Sequence, residues 1–107
     1  MAKFEAFLPI ILKGEGGYAN LQNDLGGETY RGISRKWFPL WQGWKIIDQI
    51  KRTRAIKHNE IINNQQLNIW VADFYKREFW NKFQGDKILD QDVANVIGDH
   101  AVHEGAK

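Results

Sequence analysis

Cysteine is absent from the 107-residue chain, which excludes a disulfide framework, a thiol nucleophile and any cysteine-ligated metal. Secreted domains of this size often carry disulfides, so the absence favours synthesis in the cytoplasm. Neither sign of charge dominates: 15 basic residues against 13 acidic ones leave a formal net charge of +2. That excess is too small to mark a nucleic-acid binder, although it suits approach to an anionic polymer. No apolar run reaches the length of a membrane span. The N-terminus makes a poor export leader, because Glu5 closely follows Lys3 and the short apolar stretch ends without a clean small-residue cleavage site. Gly-x-Ser-x-Gly, a phosphate-binding glycine loop and internal repeats are also missing. Protease, kinase and nucleotide-binding readings therefore have no support.

What is there is aromatic and apolar. Five Trp, six Phe and three Tyr within a 43% hydrophobic composition indicate one folded domain over residues 1–107, with a single core. Phe4, Phe7, Leu8 and Ile11 have helical spacing and lead into Glu15, with Gly16 and Gly17 as the expected stop signal. A carboxylate at a helix C-terminus meets negative potential from unpaired carbonyls, which suits an acid that must keep its proton. Residues 18–34 are dense in turn formers and predict a tight antiparallel ribbon, with Gly26-Gly27 in or beside the turn. Asp24 and Thr29 on that ribbon then face Glu15. Two such acids can protonate a leaving oxygen and either activate water or stabilise an oxocarbenium-like centre. Glu-Gly-Gly is also a common helix end and Asp a common turn former, so the spacing alone leaves both readings open.

The remaining chain predicts helices. Ser34 is placed to cap a short helix over 35–38, which Pro39 interrupts. Trp37, Phe38, Leu40, Trp41 and Trp44 cluster around Pro39 and Gly43. One or two of these rings, Trp41 first, are expected to line a sugar-binding groove, most of the others lying in the core. Residues 44–57 read as a helix with Ile46, Ile47 and Ile50 inward and a solvated basic face of Lys51, Arg52, Arg54 and Lys57. The strongest pattern, Leu67, Trp70, Val71, Phe74, Tyr75 and Phe79, predicts a central helix from about Gln65 to Phe83. Asp90 is the expected N-cap of a last helix with Val93, Ala94, Ile97 and Ala101 inward. Its small residues Ala94, Gly98, Ala101 and Gly105 permit close approach to a neighbouring helix. Asp99 there is either an acceptor for the catalytic region or an ordinary exposed acid. His100, His103 and Glu104 lack a metal-site arrangement, so neither a metal nor another cofactor is expected.

Glu15-Gly-Gly-Tyr18 followed by Asp24-x-Gly-Gly-x-Thr29-x-x-Gly-Ile33 resembles the signature of glycoside hydrolase family 108. Phe74-Tyr-Lys-Arg-Glu-Phe-Trp80 and Asp99-His-Ala-Val-His-Glu-Gly105 extend the resemblance over nearly the whole chain, with His103 where asparagine is expected. The resemblance implies a mainly α, lysozyme-like helical domain with a small β-ribbon near residues 18–34. It also implies an N-acetylmuramidase acting on peptidoglycan glycan strands, with Glu15 as catalytic glutamate. Asp24 would be the second carboxylate, Thr29 an aid to its water, and Tyr18 and Tyr30 would shape the groove. The Glu, Asp, Thr order is also similar to phage lysozymes, with Thr29 one residue early. Many relatives continue into a peptidoglycan-binding region where this sequence stops. Reaching the wall would need a holin-like pore, a secretion system or lysis, without stable membrane insertion. Two rivals stand beside the muramidase. One is a lytic transglycosylase using Glu15 without Asp24, and the other a non-catalytic wall-binding or secretion-helper domain.

Overall fold

The computed structural model describes residues 1–21 and 27–105. The fold is mainly α. Its elements in order are α1 (Phe4–Gly14), β1 (Tyr18–Asn20), β2 (Glu28–Tyr30), β3 (Ile33–Ser34), α2 (Gly43–Thr53), α3 (Gln65–Tyr75) and α4 (Gln91–Gly105). A π turn (Lys76–Trp80) and a 3-10 turn (Gly85–Lys87) separate α3 from α4. Two compact units result: residues 1–14 with the chain from Ala72 onward, and residues 15–71.

In the first unit α1 packs on α4. Phe4, Phe7 and Ile11 form the buried stripe of α1, as their spacing predicts. Phe7 has no exposed surface and touches a ring cluster of Phe4, Trp80 and Phe83, with centroids 5.3–6.2 Å away. The small residues of α4 serve this contact, because a Cβ on Gly98 would come within 2.3 Å of the Phe7 ring. The buried face of α4 is consequently Ala94, Gly98 and Val102. Val93 and Ile97, expected inward, are 49% and 41% exposed. Close helix approach reserves the interface for small side chains and pushes the bulky ones to its flank. Asp90 caps α4 as expected, its Oδ1 accepting the N–H groups of Asp92 at 2.8 Å and Val93 at 3.2 Å.

The long central helix departs from expectation after Tyr75. There the Asn81 N–H donates to the Lys76 carbonyl at 2.8 Å, five residues back. The aromatic pattern explains the change. Phe74, Tyr75, Phe79 and Trp80 are all buried, and this repeat of five matches a π turn, whereas an α-helix would swing one pair away. Tyr75 and Phe79 accordingly stack at 5.8 Å.

The second unit is built on the antiparallel sheet β1-β2-β3, with Tyr18 opposite Tyr30, Asn20 opposite Glu28, and Tyr30 opposite Ile33. The short helix expected over 35–38 is only a turn, closed by the Phe38 N–H on the Ser34 carbonyl at 2.9 Å. Pro39 disfavours helical geometry at Phe38 and stops propagation. Trp44 and Ile47 anchor α2, and Trp41 meets Trp44 edge to face at 5.2 Å. Helix α2 ends at Thr53 rather than at 57, because Arg54 is extended (φ −164°, ψ 163°). Asn64 opens α3, its Oδ1 accepting the Leu67 N–H at 2.8 Å.

Candidate active site

Glu15 is the first residue past Gly14, where α1 ends, and it is half-buried. The two glycines after it do not stop the helix by left-handed geometry, since the positive-φ glycines among the described residues are Gly27 and Gly32. They are glycines because another strand of chain passes too close. A Cβ on Gly16 would lie 2.6 Å from Asn59 Oδ1, and one on Gly17 would lie 2.2 Å from the Glu60 carbonyl oxygen. That approach is bonded throughout. The Gly17 N–H donates to Asn59 Oδ1 at 2.9 Å, the Asn59 N–H to the Tyr18 carbonyl at 2.6 Å, and the Tyr18 N–H to the Glu60 carbonyl at 2.9 Å. Asn59 itself sits at φ 67°, a conformation that asparagine tolerates better than most side chains. Arg54 closes the segment behind it with a fork on Glu60, at 3.1 and 2.6 Å.

Across the sheet, Tyr18 is buried and its hydroxyl donates to Glu28 Oε2 at 2.7 Å. Glu28 also accepts from Arg35 Nη1 at 2.9 Å and Lys51 Nζ at 2.7 Å. Arg35 in turn holds both oxygens of Asp48 at 2.7 Å and lies over the Trp44 ring. Burial alone would push the Glu28 carboxyl up. The hydrogen bonds from Lys51, Tyr18 and Arg35 together outweigh it and hold the group below the usual carboxylate range. The Tyr18 hydroxyl is pushed up, first by burial and then by its bond to the Glu28 carboxylate. Two of the supposedly solvated basic residues thus have partners, Lys51 on Glu28 and Arg54 on Glu60.

The other expected site residues fall in different places. Asp24 lies outside the described residues. Thr29 is half-buried on β2, opposite Ala19 and Ser34, so its side chain leaves the face of the sheet that carries Tyr18, Glu28 and Tyr30. Tyr30 has no exposed surface, and its hydroxyl accepts the Ile62 N–H at 2.9 Å. Trp41 is buried and donates Nε1–H to the Trp70 carbonyl at 3.1 Å. It lines a cavity of about 340 Å³ with Arg35, Leu40, Trp44 and Asp48. Trp37 (58%) and Leu40 (92%) are the exposed members of its cluster. A second cavity, about 300 Å³, is lined by Tyr18, Asn20 and Leu21 on one side and Ile56 and His58 on the other. Asp99 is engaged on its own helix, 3.2 Å from His103 Nδ1.

Two residues escaped the sequence reading. Glu28 sits inside the Gly-Gly-x-Thr stretch, and only the cross-strand register reveals its partners. Asn59 lies in a stretch without periodicity, where an asparagine suited to positive φ was the one available signal.

An acid directly after the first helix, then a small antiparallel sheet, then helices: this arrangement defines a lysozyme-like fold. The chain belongs to the glycosyl hydrolase 108 family, whose model matches residues 8–105. The solved structure of Brucella abortus SagA is 28% identical with a TM-score of 0.60, covering 95% of this chain and 51% of that one. This chain therefore spans about half the length of that relative. No curated protein matches it.

Proposed function

We propose that this chain is an N-acetylmuramidase domain that hydrolyses the β-1,4 bond between N-acetylmuramic acid and N-acetylglucosamine in peptidoglycan. The observation that carries the reading is Glu15, half-buried directly after α1 within a chain that matches the glycosyl hydrolase 108 model from residue 8 to 105. A carboxyl there can donate its proton to the glycosidic oxygen as the bond breaks. Asp24 is the proposed second carboxylate, directing water onto the sugar or stabilising the positive centre. Thr29, on the face of the sheet away from Tyr18, is proposed to hold Asp24 or its water rather than to line the Tyr18 wall. Tyr18 lines the substrate groove with Asn20 and Leu21, the buried Tyr30 braces the chain at Ile62, and Trp41 is the proposed sugar-stacking ring of a separate cavity. The protein acts on the wall after export through a pore or secretion machinery.

The test is digestion of purified peptidoglycan by wild type, Glu15→Gln and Asp24→Asn, with mass spectrometry of the released sugars. Reducing-end muropeptides from wild type, falling on the order of 10²–10⁴-fold in Glu15→Gln, are expected. Asp24→Asn should also lose most activity. Anhydro-sugars from wild type, undiminished in Asp24→Asn, would establish a lytic transglycosylase instead. A folded wild type that binds sacculi and releases nothing would establish a wall-binding domain.

A further inference from the structure

We infer that Asn59 is a positioning residue for Glu15, setting where the carboxyl stands by pinning the backbone that follows it; the inference rests on the general-acid reading of Glu15. Between Glu15 and β1 the chain has only Gly16 and Gly17, the residues with the widest conformational freedom. Left alone, two glycines would let a neighbouring catalytic side chain wander. Asn59 removes that freedom at three points. Its Oδ1 accepts the Gly17 N–H at 2.9 Å, its own N–H donates to the Tyr18 carbonyl at 2.6 Å, and its side chain fills the space a Cβ on Gly16 would need. Next to it, the Glu60 carbonyl takes the Tyr18 N–H at 2.9 Å.

The choice of asparagine follows from two demands that coincide at this position. The backbone is left-handed at φ 67°, which glycine and asparagine tolerate. An acceptor must also reach Gly17, which glycine lacks. The platform is itself held: Arg54 forks onto Glu60, whose Oε1 also accepts the Lys57 N–H at 3.1 Å. The Ile62 N–H is tied to the Tyr30 hydroxyl. Asn59 thus transmits a rigid loop to the two-residue hinge beside the proposed acid. Displacement of a catalytic group by about 1 Å can cost up to about 10²-fold in rate.

Steady-state kinetics on a soluble peptidoglycan fragment test this with Asn59→Gly, Asn59→Ala and Asn59→Asp beside Glu15→Gln. Amide hydrogen exchange at Gly17 and thermal melts accompany them. Asn59→Gly keeps the backbone conformation and loses the acceptor. Its kcat is expected to fall roughly ten- to a hundred-fold with KM little changed, and exchange at Gly17 to accelerate. Asn59→Asp retains an acceptor and is expected to restore most of the kcat, while Asn59→Ala should lose at least as much as glycine. Wild-type kcat in Asn59→Gly overturns the inference while leaving the acid reading intact, provided Glu15→Gln is inactive. A fall in kcat that only tracks the lost folded fraction marks a scaffold residue and also overturns it. If Glu15→Gln keeps full activity, the acid reading fails first and the inference with it.

Discussion

At the scale of single residues, the most constrained position beside the proposed acid carries no side chain at all. Gly17 is held by its neighbours rather than by its dihedral angles, since a Cβ would meet the Glu60 carbonyl at 2.2 Å. Backbone cannot rotate away as a side-chain tip can. Gly17→Ala is therefore expected to cost about 1–3 kcal/mol, read as a lower urea midpoint, whereas Gly14→Ala, with open space around it, should be neutral or stabilising. Equal midpoints for the two variants would remove the close-approach explanation. Glu28 makes the opposite kind of residue, a carboxylate whose worth lies in three donors. Its side chain is 10% exposed, so Glu28→Ala leaves Lys51 to solvent and Arg35 to Asp48, but takes away the acceptor of the Tyr18 hydroxyl. A loss of about 2 kcal/mol is expected, and restoring an acceptor with Glu28→Gln should recover part of it.

At the scale of elements, two helix starts carry side-chain caps. Asp90 caps α4 through two backbone N–H groups, and Asn64 does the same for α3 through Leu67. Asp90→Ala is expected to cost about 1 kcal/mol, seen as a melting temperature lower by about 4–8 °C, with Asp90→Ser largely tolerated. A melt unchanged in Asp90→Ala would mean the cap bonds are replaced by water at no cost. The π turn is different, because its widened geometry is set by where four rings must go. Among the described residues Phe79 lies against both Phe74 and Tyr75, so Phe79→Ala should cost about 3–5 kcal/mol.

At the scale of the whole molecule, titration sets the working range. Glu28 and Asp48 both have pKa values held below their ordinary 4.5 and 3.8, Asp48 chiefly by its bond from Arg35. A carboxyl depressed in the folded chain contributes stability that is present above its ordinary value and is lost as pH falls through the folded value. Tyr18 and Tyr30 are both raised from 10.0, chiefly by burial. A raised group contributes stability that is present below its ordinary value and is lost as pH rises through the folded value. Stability is accordingly expected to decline below about pH 4.5 and again above about pH 10. Urea midpoints across that range check it, and Glu28→Gln should flatten the acid side. An acid side as steep in Glu28→Gln as in wild type would assign the loss to other carboxylates.

Sequence by itself determined what depends on local periodicity and local chemistry. The stripe of α1, the cap of α4, the antiparallel ribbon and the aromatic face of the central helix all follow from spacings within one element. The motif around Glu15 likewise carries the resemblance to the family whose model matches the chain. What the tertiary structure alone decided concerns residues far apart in the chain. Asn59 stands beside Gly17 across 42 positions, Lys51 reaches Glu28 across 23, and the ring of Phe7 selects the small face of α4. No local pattern encodes such meetings, because each depends on how separate elements pack together. The physical reason is the same for Gly16 and Gly17: their glycine identity records the nearness of another segment, and that nearness exists only once the chain has folded.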